Sequence, residues 1–422
     1  MQINEIVAPY LSAADFQGVI GLQRDGEEPL ILPYGFASVE LGVPHRSGNI
    51  FMIGSISKQF TAVAILLLEE TGKLKTTDLL SKFIPDFPRG NEITIEQLLT
   101  HTSGIADVYS LKSFGTTSGL AGTFEAVVAE LATMSLTFEP GEGYSYSNGG
   151  YSLLGAVIEK ASGMPFRTYL ETNMFERVGM RQTTHDFPGE AVRQRVPGYD
   201  PIGASGLMPV KRVAPAYTLG NGSLWSSAED LLKWSAALHT GKLISKDSYK
   251  KLTQDYGQSY GFGVSLFKRF NTPVIGHDGR VAGYASDLAR YIDKKLSVVV
   301  LSNVQSVSRD EIRSMVAAAA LGEAYEIPEL QEFAELDVAK LEPFLGSYSF
   351  GPFFIVRIVE RNGRLLAQAN EGGFSELTPT ASGAWFSRML YTTVRFGTDD
   401  SNTVDRLIWG LGENAPVGKR VP

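Results

Sequence analysis

Strand-like sequence stands at both ends of residues 1–325, while helical sequence fills the middle. Strands that pair must therefore come from opposite ends of the chain. Near the start, GVIGLQRDGEEPLILPYGFASVEL (17–40) gives two short strands around Asp25-Gly26, a dipeptide suited to a tight hairpin turn. Residues 259–303 return to strands: YGFGVSLF, PVIGHDG, ASDLARYI and LSVVVLSN, the last two flanking Asp293-Lys294-Lys295 as an antiparallel hairpin. Between them, the pattern predicts a helix from Ser55 to Thr71 stopped by Gly72, then a Thr94/Gln97 capping box. Further helices follow over 149–163, after Ser227-Ala-Glu-Asp230, and over 309–322. The expected class is α/β (α+β): an antiparallel sheet flanked by helices, with an all-helical insertion.

A boundary falls near 327–341, which divides the chain into residues 1–330 and 336–422. Beyond it, short β-like segments are punctuated by Asn362-Gly363, Gly372-Gly373 and Asp399-Asp400, the pattern of a small antiparallel barrel or sandwich. Acidic and basic residues balance in this tail, so the net charge of −8 resides in the first block. The tail holds none of the five histidines, which places the chemistry upstream. Glu371-Gly-Gly-Phe374 reads either as a hairpin turn or as a loop that probes a neighbouring site.

Several function classes are excluded by composition. With 46 acidic against 38 basic residues, the chain is ill suited to nucleic acid or an anionic membrane. The lack of cysteine removes disulfides, thiolate nucleophiles and Cys-ligated metals, and the histidines show no metal-binding spacing. No metal and no organic cofactor are expected. The longest aliphatic run, Ala62–Leu68, falls far short of the ~20 residues that span a bilayer. The N-terminal stretch lacks a basic start followed by an apolar segment, so a cytoplasmic protein is expected unless the chain is a processed form.

Chemistry centres on Ser55-Ile56-Ser57-Lys58, where a glycine-preceded segment turns into a helix. A serine in a first helical turn lies beside free backbone N–H groups and the positive end of the helix dipole, both of which stabilise an oxyanion. Lys58, three residues on, shares its face with about 4.5 Å of rise. Under apolar cover such an amine can lose its proton and serve as a base. The plainer alternative is an N-cap serine followed by a surface lysine. The S-x-x-K pattern recurs twice. Ser248/Lys251 lies in the polar stretch KDSYKKL, a solvated helix face, and Ser265/Lys268 lies in strand-like sequence, where an offset of three puts the side chains on opposite faces.

Two further elements accompany it. Tyr146-Ser147-Asn148 offers a phenol that can relay a proton and a carboxamide that can hold a substrate carbonyl; alternatively, it is a loop whose Asn148 caps the next helix. His277-Asp278-Gly279 follows strand-like sequence. Its imidazole can hydrogen-bond across a site and Gly279 admits a close backbone, unless the triplet is an ordinary strand-end turn. The similar His239-Thr240-Gly241 ends a helix, with the histidine near the C-terminal dipole and glycine beyond it, and is assigned to structure.

The order Ser55/Lys58, Tyr146/Asn148, His277/Gly279 resembles that of the penicillin-recognising serine hydrolases: class C β-lactamases, D-Ala-D-Ala carboxypeptidases, D-aminopeptidases and related esterases. Leu98-Leu-Thr-His-Thr-Ser-Gly104, GNGSLWSSAEDLLKW (220–234) and Gly276–Tyr284 extend it, with His101 and Trp225 taken as structural. The tail resembles the lipocalin-like barrels of some D-peptidase relatives. What the resemblance implies is acyl transfer: Ser55 as nucleophile, Lys58 and Tyr146 handling its proton, His277 completing the catalytic set, and Asn148 binding the substrate amide. The N–H groups of Ser55 and Arg280 would form the oxyanion hole.

β-Lactamases of the family usually carry Lys-Thr-Gly where this chain has His277-Asp278-Gly279. The missing lysine and threonine disfavour β-lactam substrates, and Asp278 disfavours a substrate carboxylate unless Arg280 compensates. The expectation is a peptidase or amidase for D-amino-acid-containing peptides, with a carboxylesterase as the alternative and a DD-carboxypeptidase, weak β-lactamase or non-catalytic binder behind. Asp278 is either an ammonium binder or a solvated turn acid. Partners are a small molecule or short peptide, with a homo-oligomer left open.

Overall fold

The structure is a computed structural model that describes residues 2–117, 122–185, 191–329, 331–351, 354–370, 372–412 and 414–421. Its main sheet joins the two ends of the first block. In chain order the strands are β1 (Gly18–Arg24), β2 (Leu30–Tyr34), β3 (Ser265–Arg269), β4 (Thr272–Val281), β5 (Tyr284–Tyr291) and β6 (Leu296–Ser302). Their spatial order is β3-β4-β5-β6-β1-β2, antiparallel throughout, with β1 registered on β6 from Gly18↔Ser302 to Arg24↔Leu296. Every residue of β5 and β6 is buried, as expected of central strands covered on both faces.

Helices α1 (Ile3–Ser12) and α6 (Arg309–Leu321) cover one face, sharing an apolar cluster with Ile20, Val298 and Val300. The opposite face packs on the helical insertion. At its centre runs α2 (Ser57–Glu70), in which residues 57 to 68 are all buried. A helix buried all round has no solvent face, so it must sit inside a larger shell. That shell includes α3 (Ile95–Leu99), closed by the expected Thr94/Gln97 capping box, α4 (Asn148–Ser162) and α5 (Ala228–His239). No helix among the described residues is long and apolar enough to cross a membrane.

Two local expectations change. The helix expected from Ser55 begins as a 3₁₀ turn, Gly54–Ile56, and becomes α-helical at Ser57. The stretch expected as a strand from Tyr260 forms one only from Ser265; residues 260–264 are an irregular segment that crosses the cleft side of α2, where Gly263 packs on the Lys58 carbonyl.

The tail is a closed eight-stranded antiparallel barrel running from Gly346 to Val421. Closure removes the exposed edges that an open sheet of such short strands would present. Asn362 and Gly363, both at positive φ, make the two-residue turn between its second and third strands. Glu371 lies outside the described residues, and from Phe374 the chain is already strand. One side chain rivets the barrel to the first block. Arg388 is buried and donates to Asp15 Oδ1 at 2.7 Å and to the carbonyls of Ala13, Ala14, Ile202, Gly203 and Gly206.

Candidate active site

The site forms where the start of α2 meets the free edge of β4. Strand β3 pairs with β4 only as far as Ser265↔Gly276, so from His277 onward that edge carries no strand. The Gly54–Ile56 turn stands there instead. Gly54 has φ +51, and a Cβ on it would lie 2.8 Å from the Arg280 nitrogen. A Cβ on Gly279 would lie 2.1 Å from the Ile53 carbonyl oxygen and 2.4 Å from Ser286 Oγ. Both contacts admit glycine alone. They bring the backbone at Ser55 and that at Arg280 together, the arrangement that a two-donor oxyanion hole requires.

Ser55 is the one residue of the stretch 51–60 that is not fully buried. Lys58 Nζ lies 3.1 Å from its Oγ, 2.7 Å from Asn148 Oδ1 and 2.8 Å from the Asn221 carbonyl oxygen. Burial pushes the amine down to about 7, against the opposing pull of Asp107 and Asp278. Donor and acceptor counting then fixes its orientation. A neutral amine has two N–H donors and one lone pair, and the Asn148 and Asn221 oxygens can only accept. The lone pair is left for Ser55, whose hydroxyl can donate into it.

Tyr146 completes the group. Its ring lies 4.8 Å from Lys58 Nζ, beside Ser55. Burial raises its phenol well above the usual value, against the opposing pull of Ser55, so the phenol keeps its proton. Asn148 occupies the first turn of α4, whose N-cap is Ser147 accepting from the Gly150 N–H. Its side chain lies within the fold rather than merely capping the helix.

His277 lies at the same cleft. Its Nε2 accepts from the Tyr260 hydroxyl at 2.9 Å, and its Nδ1 donates to the Asp278 carbonyl at 2.5 Å. Both ring nitrogens are thus engaged, and burial holds the imidazole below its usual value. Its own ring stands 6.2 Å from that of Tyr146, the same distance as the Tyr260 ring, so it borders the cleft directly. Asp278 is neither a turn acid nor a free carboxylate. It lies within β4, opposite Asp287, and pairs at 2.5 Å with the buried Arg309 that opens α6. The Arg280 side chain is exposed.

The residues assigned to structure also have clear places. His101 lies against Tyr146 with ring centroids 4.3 Å apart, and its Nδ1 accepts the Ser147 N–H. Trp225 is fully buried on the strand that pairs with Phe51-Met52. Of the other S-x-x-K pairs, Ser248 is buried rather than solvated and Lys251 pairs with Glu69 at 2.8 Å; Ser265 and Lys268 lie along β3. His239 ends α5 and contacts Tyr249 at 2.7 Å.

Four participants escaped sequence reasoning: Asp107, the Asn221 carbonyl, Tyr260 and Arg309. Asp107 carried a faint signal, since it closely follows the His101–Gly104 stretch. A backbone carbonyl carries none.

Comparison with known proteins gives a consistent picture. The family model described as Beta-lactamase matches residues 3–321. Penicillin-binding protein 4* of Bacillus subtilis is 29% identical over 409 residues, covering 90% of each chain. A D-aminopeptidase of Gluconobacter oxydans is 28% identical over 319 residues; the match takes in 73% of this chain and 59% of that enzyme. Among solved structures, the octameric penicillin-binding protein homologue from Pyrococcus abyssi superposes with a TM-score of 0.69 at 24% identity, covering 99% of this chain and 100% of that one. That likeness carries the fold, barrel included.

Proposed function

Because this chain belongs to the β-lactamase family of serine hydrolases, we propose that it cleaves amide bonds of D-amino-acid-containing peptides or amides through an acyl-enzyme. The observation that carries this reading is the buried Lys58 amine, 3.1 Å from Ser55 and ringed by neutral acceptors. Ser55 Oγ attacks the substrate carbonyl carbon as its proton passes to the Lys58 lone pair. The developing oxyanion is received by the N–H groups of Ser55 and Arg280. Tyr146 passes its proton to the departing amine as the C–N bond breaks and takes one back from the Lys58 ammonium, which returns both groups to their starting state. Water then attacks the acyl-enzyme, releasing the acid and restoring the Ser55 hydroxyl. Removing one oxyanion donor in such a site typically costs about 3 kcal/mol of barrier.

In this reading residues 1–330 carry the chemistry and 336–422 form an accessory domain. Asn148 contacts substrate with whatever donor capacity Lys58 and Asp107 leave free. His277 completes the set as a positioning residue, its ring beside Tyr146 and its Nε2 bonded to Tyr260. Two facts support amides of D-residues: the likeness to the D-aminopeptidase, and a third motif without the lysine and threonine of β-lactamases. Asp278, already paired, is assigned to holding β4 against Arg309 rather than to an ammonium group.

The test is a hydrolysis panel of matched D- and L-aminoacyl amides, peptides and p-nitrophenyl esters, with Ser55→Ala as control. Turnover of D-amides above L-amides supports the proposal. Ester cleavage without amide cleavage replaces it with a carboxylesterase. Failure of the wild type to acquire a covalent adduct from a fluorophosphonate removes the acyl-enzyme altogether.

A further inference from the structure

Asp107 sits just ahead of the 3₁₀ turn Val108–Ser110 and spends both carboxylate oxygens on N–H groups. Oδ1 accepts the Tyr109 N–H at 2.9 Å. Oδ2 accepts the backbone N–H of Asn148 at 3.0 Å and its side-chain Nδ2 at 2.9 Å. The last bond matters most. An asparagine side chain can present either end, and the choice is made by its partners. Since Oδ2 can only accept, Nδ2 must face Asp107, and Oδ1 is therefore the atom that faces Lys58.

The consequence passes to the lysine. With an acceptor at Asn148 and another at the Asn221 carbonyl, both N–H groups of the neutral amine are used, and its lone pair faces Ser55. Were Asn148 reversed, its NH₂ would donate to Lys58, the lone pair would turn away from Ser55, and the hydroxyl would lose its acceptor. Resting on the acyl-enzyme reading above, we propose that Asp107 is a positioning residue that sets the direction of proton transfer from Ser55 to Lys58. The transfer is balanced: the Ser55 O–H bond breaks, the proton joins the Lys58 lone pair, and the oxygen's electrons form the bond to the carbonyl carbon.

Asp107 also acts by charge. The groups facing Lys58 are the carboxylates of Asp107 and Asp278, the imidazoles of His101 and His277, and the phenols of Tyr146 and Tyr151. Of these, Asp107 contributes the larger upward pull on the amine, against its burial. Removing that charge makes the amine easier to deprotonate and moves the acid limb of acylation to lower pH.

The experiment measures the rate of Ser55 labelling by a fluorophosphonate, read by intact mass, as a function of pH in the wild type, Asp107→Asn and Asp107→Ala. Asparagine is as good a cap as aspartate, so the Asn variant keeps the turn. It also places a donor against either Tyr109 or Asn148. Expected are an acid limb displaced by half a pH unit or more in both variants and a plateau rate lowered tenfold or more, with the Ala variant slower. A purely structural Asp107 predicts the reverse: Asn restores the wild-type rate and the limb stays in place. That outcome, with the wild type labelled normally, overturns the role of Asp107 and leaves the acyl-enzyme intact. An unlabelled wild type overturns the acyl-enzyme itself.

Discussion

Lys58 and Arg388 are both buried cations, yet their surroundings make opposite use of the charge. Arg388 meets a carboxylate, Asp15, and five backbone carbonyls. A guanidinium cannot shed its proton, so burying it demands this full complement of acceptors and a counter-charge. Lys58 meets a hydroxyl, an amide oxygen and a backbone carbonyl, with no carboxylate in contact. An ammonium so placed can lower its energy by giving up the proton. The first arrangement makes a rivet between barrel and main block; the second makes a base.

Replacing each cation with methionine is the sharpest way to break this contrast. Lys58→Met is expected to lower kcat/KM about 10³-fold or more, the range of a lost general base. Its stability in urea shifts little, because removal of a buried amine offsets the two oxygens left without donors. Arg388→Met should do the opposite. It strands Asp15 in the interior and costs about 3–5 kcal/mol in denaturant titration, the range for one partner of a buried pair. If Lys58→Met unfolds the protein while Arg388→Met leaves it stable, the contrast is wrong.

The pH dependence separates the two sites further. Activity should fall as pH drops through about 7, where Lys58 takes up the proton that stops it acting as a base. Stability responds with the opposite reach. The folded state holds Lys58 below its usual 10.5, so between about 7 and 10.5 the unfolded chain binds the extra proton, and this group adds stability as pH rises. A rate profile flat from pH 5 to 8 in single-turnover acylation would remove Lys58 as the base.

The smallest effect is expected at Asp278. Its pair with Arg309 is half exposed on the carboxylate side, at 53% of the side chain. Asp278→Asn is expected to lower kcat less than tenfold and leave KM for amine-bearing substrates unchanged. A raised KM confined to those substrates would return Asp278 to the role of ammonium binder.

Legibility followed the range of each interaction. Ser55 and Lys58 could be paired in advance because three residues of helix bring two side chains to one face, a geometry that local sequence dictates. The hairpin at Asp25-Gly26, the Thr94/Gln97 box and the turn at Asn362-Gly363 were legible for the same reason. Tyr146 and Asn148 were found by their resemblance to a motif. Their orientation was not, since it depends on Asp107 and His101 from another loop. His277 was located correctly on its strand, but its partner Tyr260 was hidden in a stretch that alternates like a strand and folds as an irregular crossing.

The chain by itself therefore determined which chemical groups were present, which of them lay within one helical turn, and that strands from its two ends must share a sheet. Only the folded protein decided the protonation of Lys58, the direction in which its lone pair points, and the pairing of Asp278 with Arg309. The first two arise from burial and from acceptors supplied by segments 90 and 163 positions away in the chain, including a backbone carbonyl that every residue type carries alike.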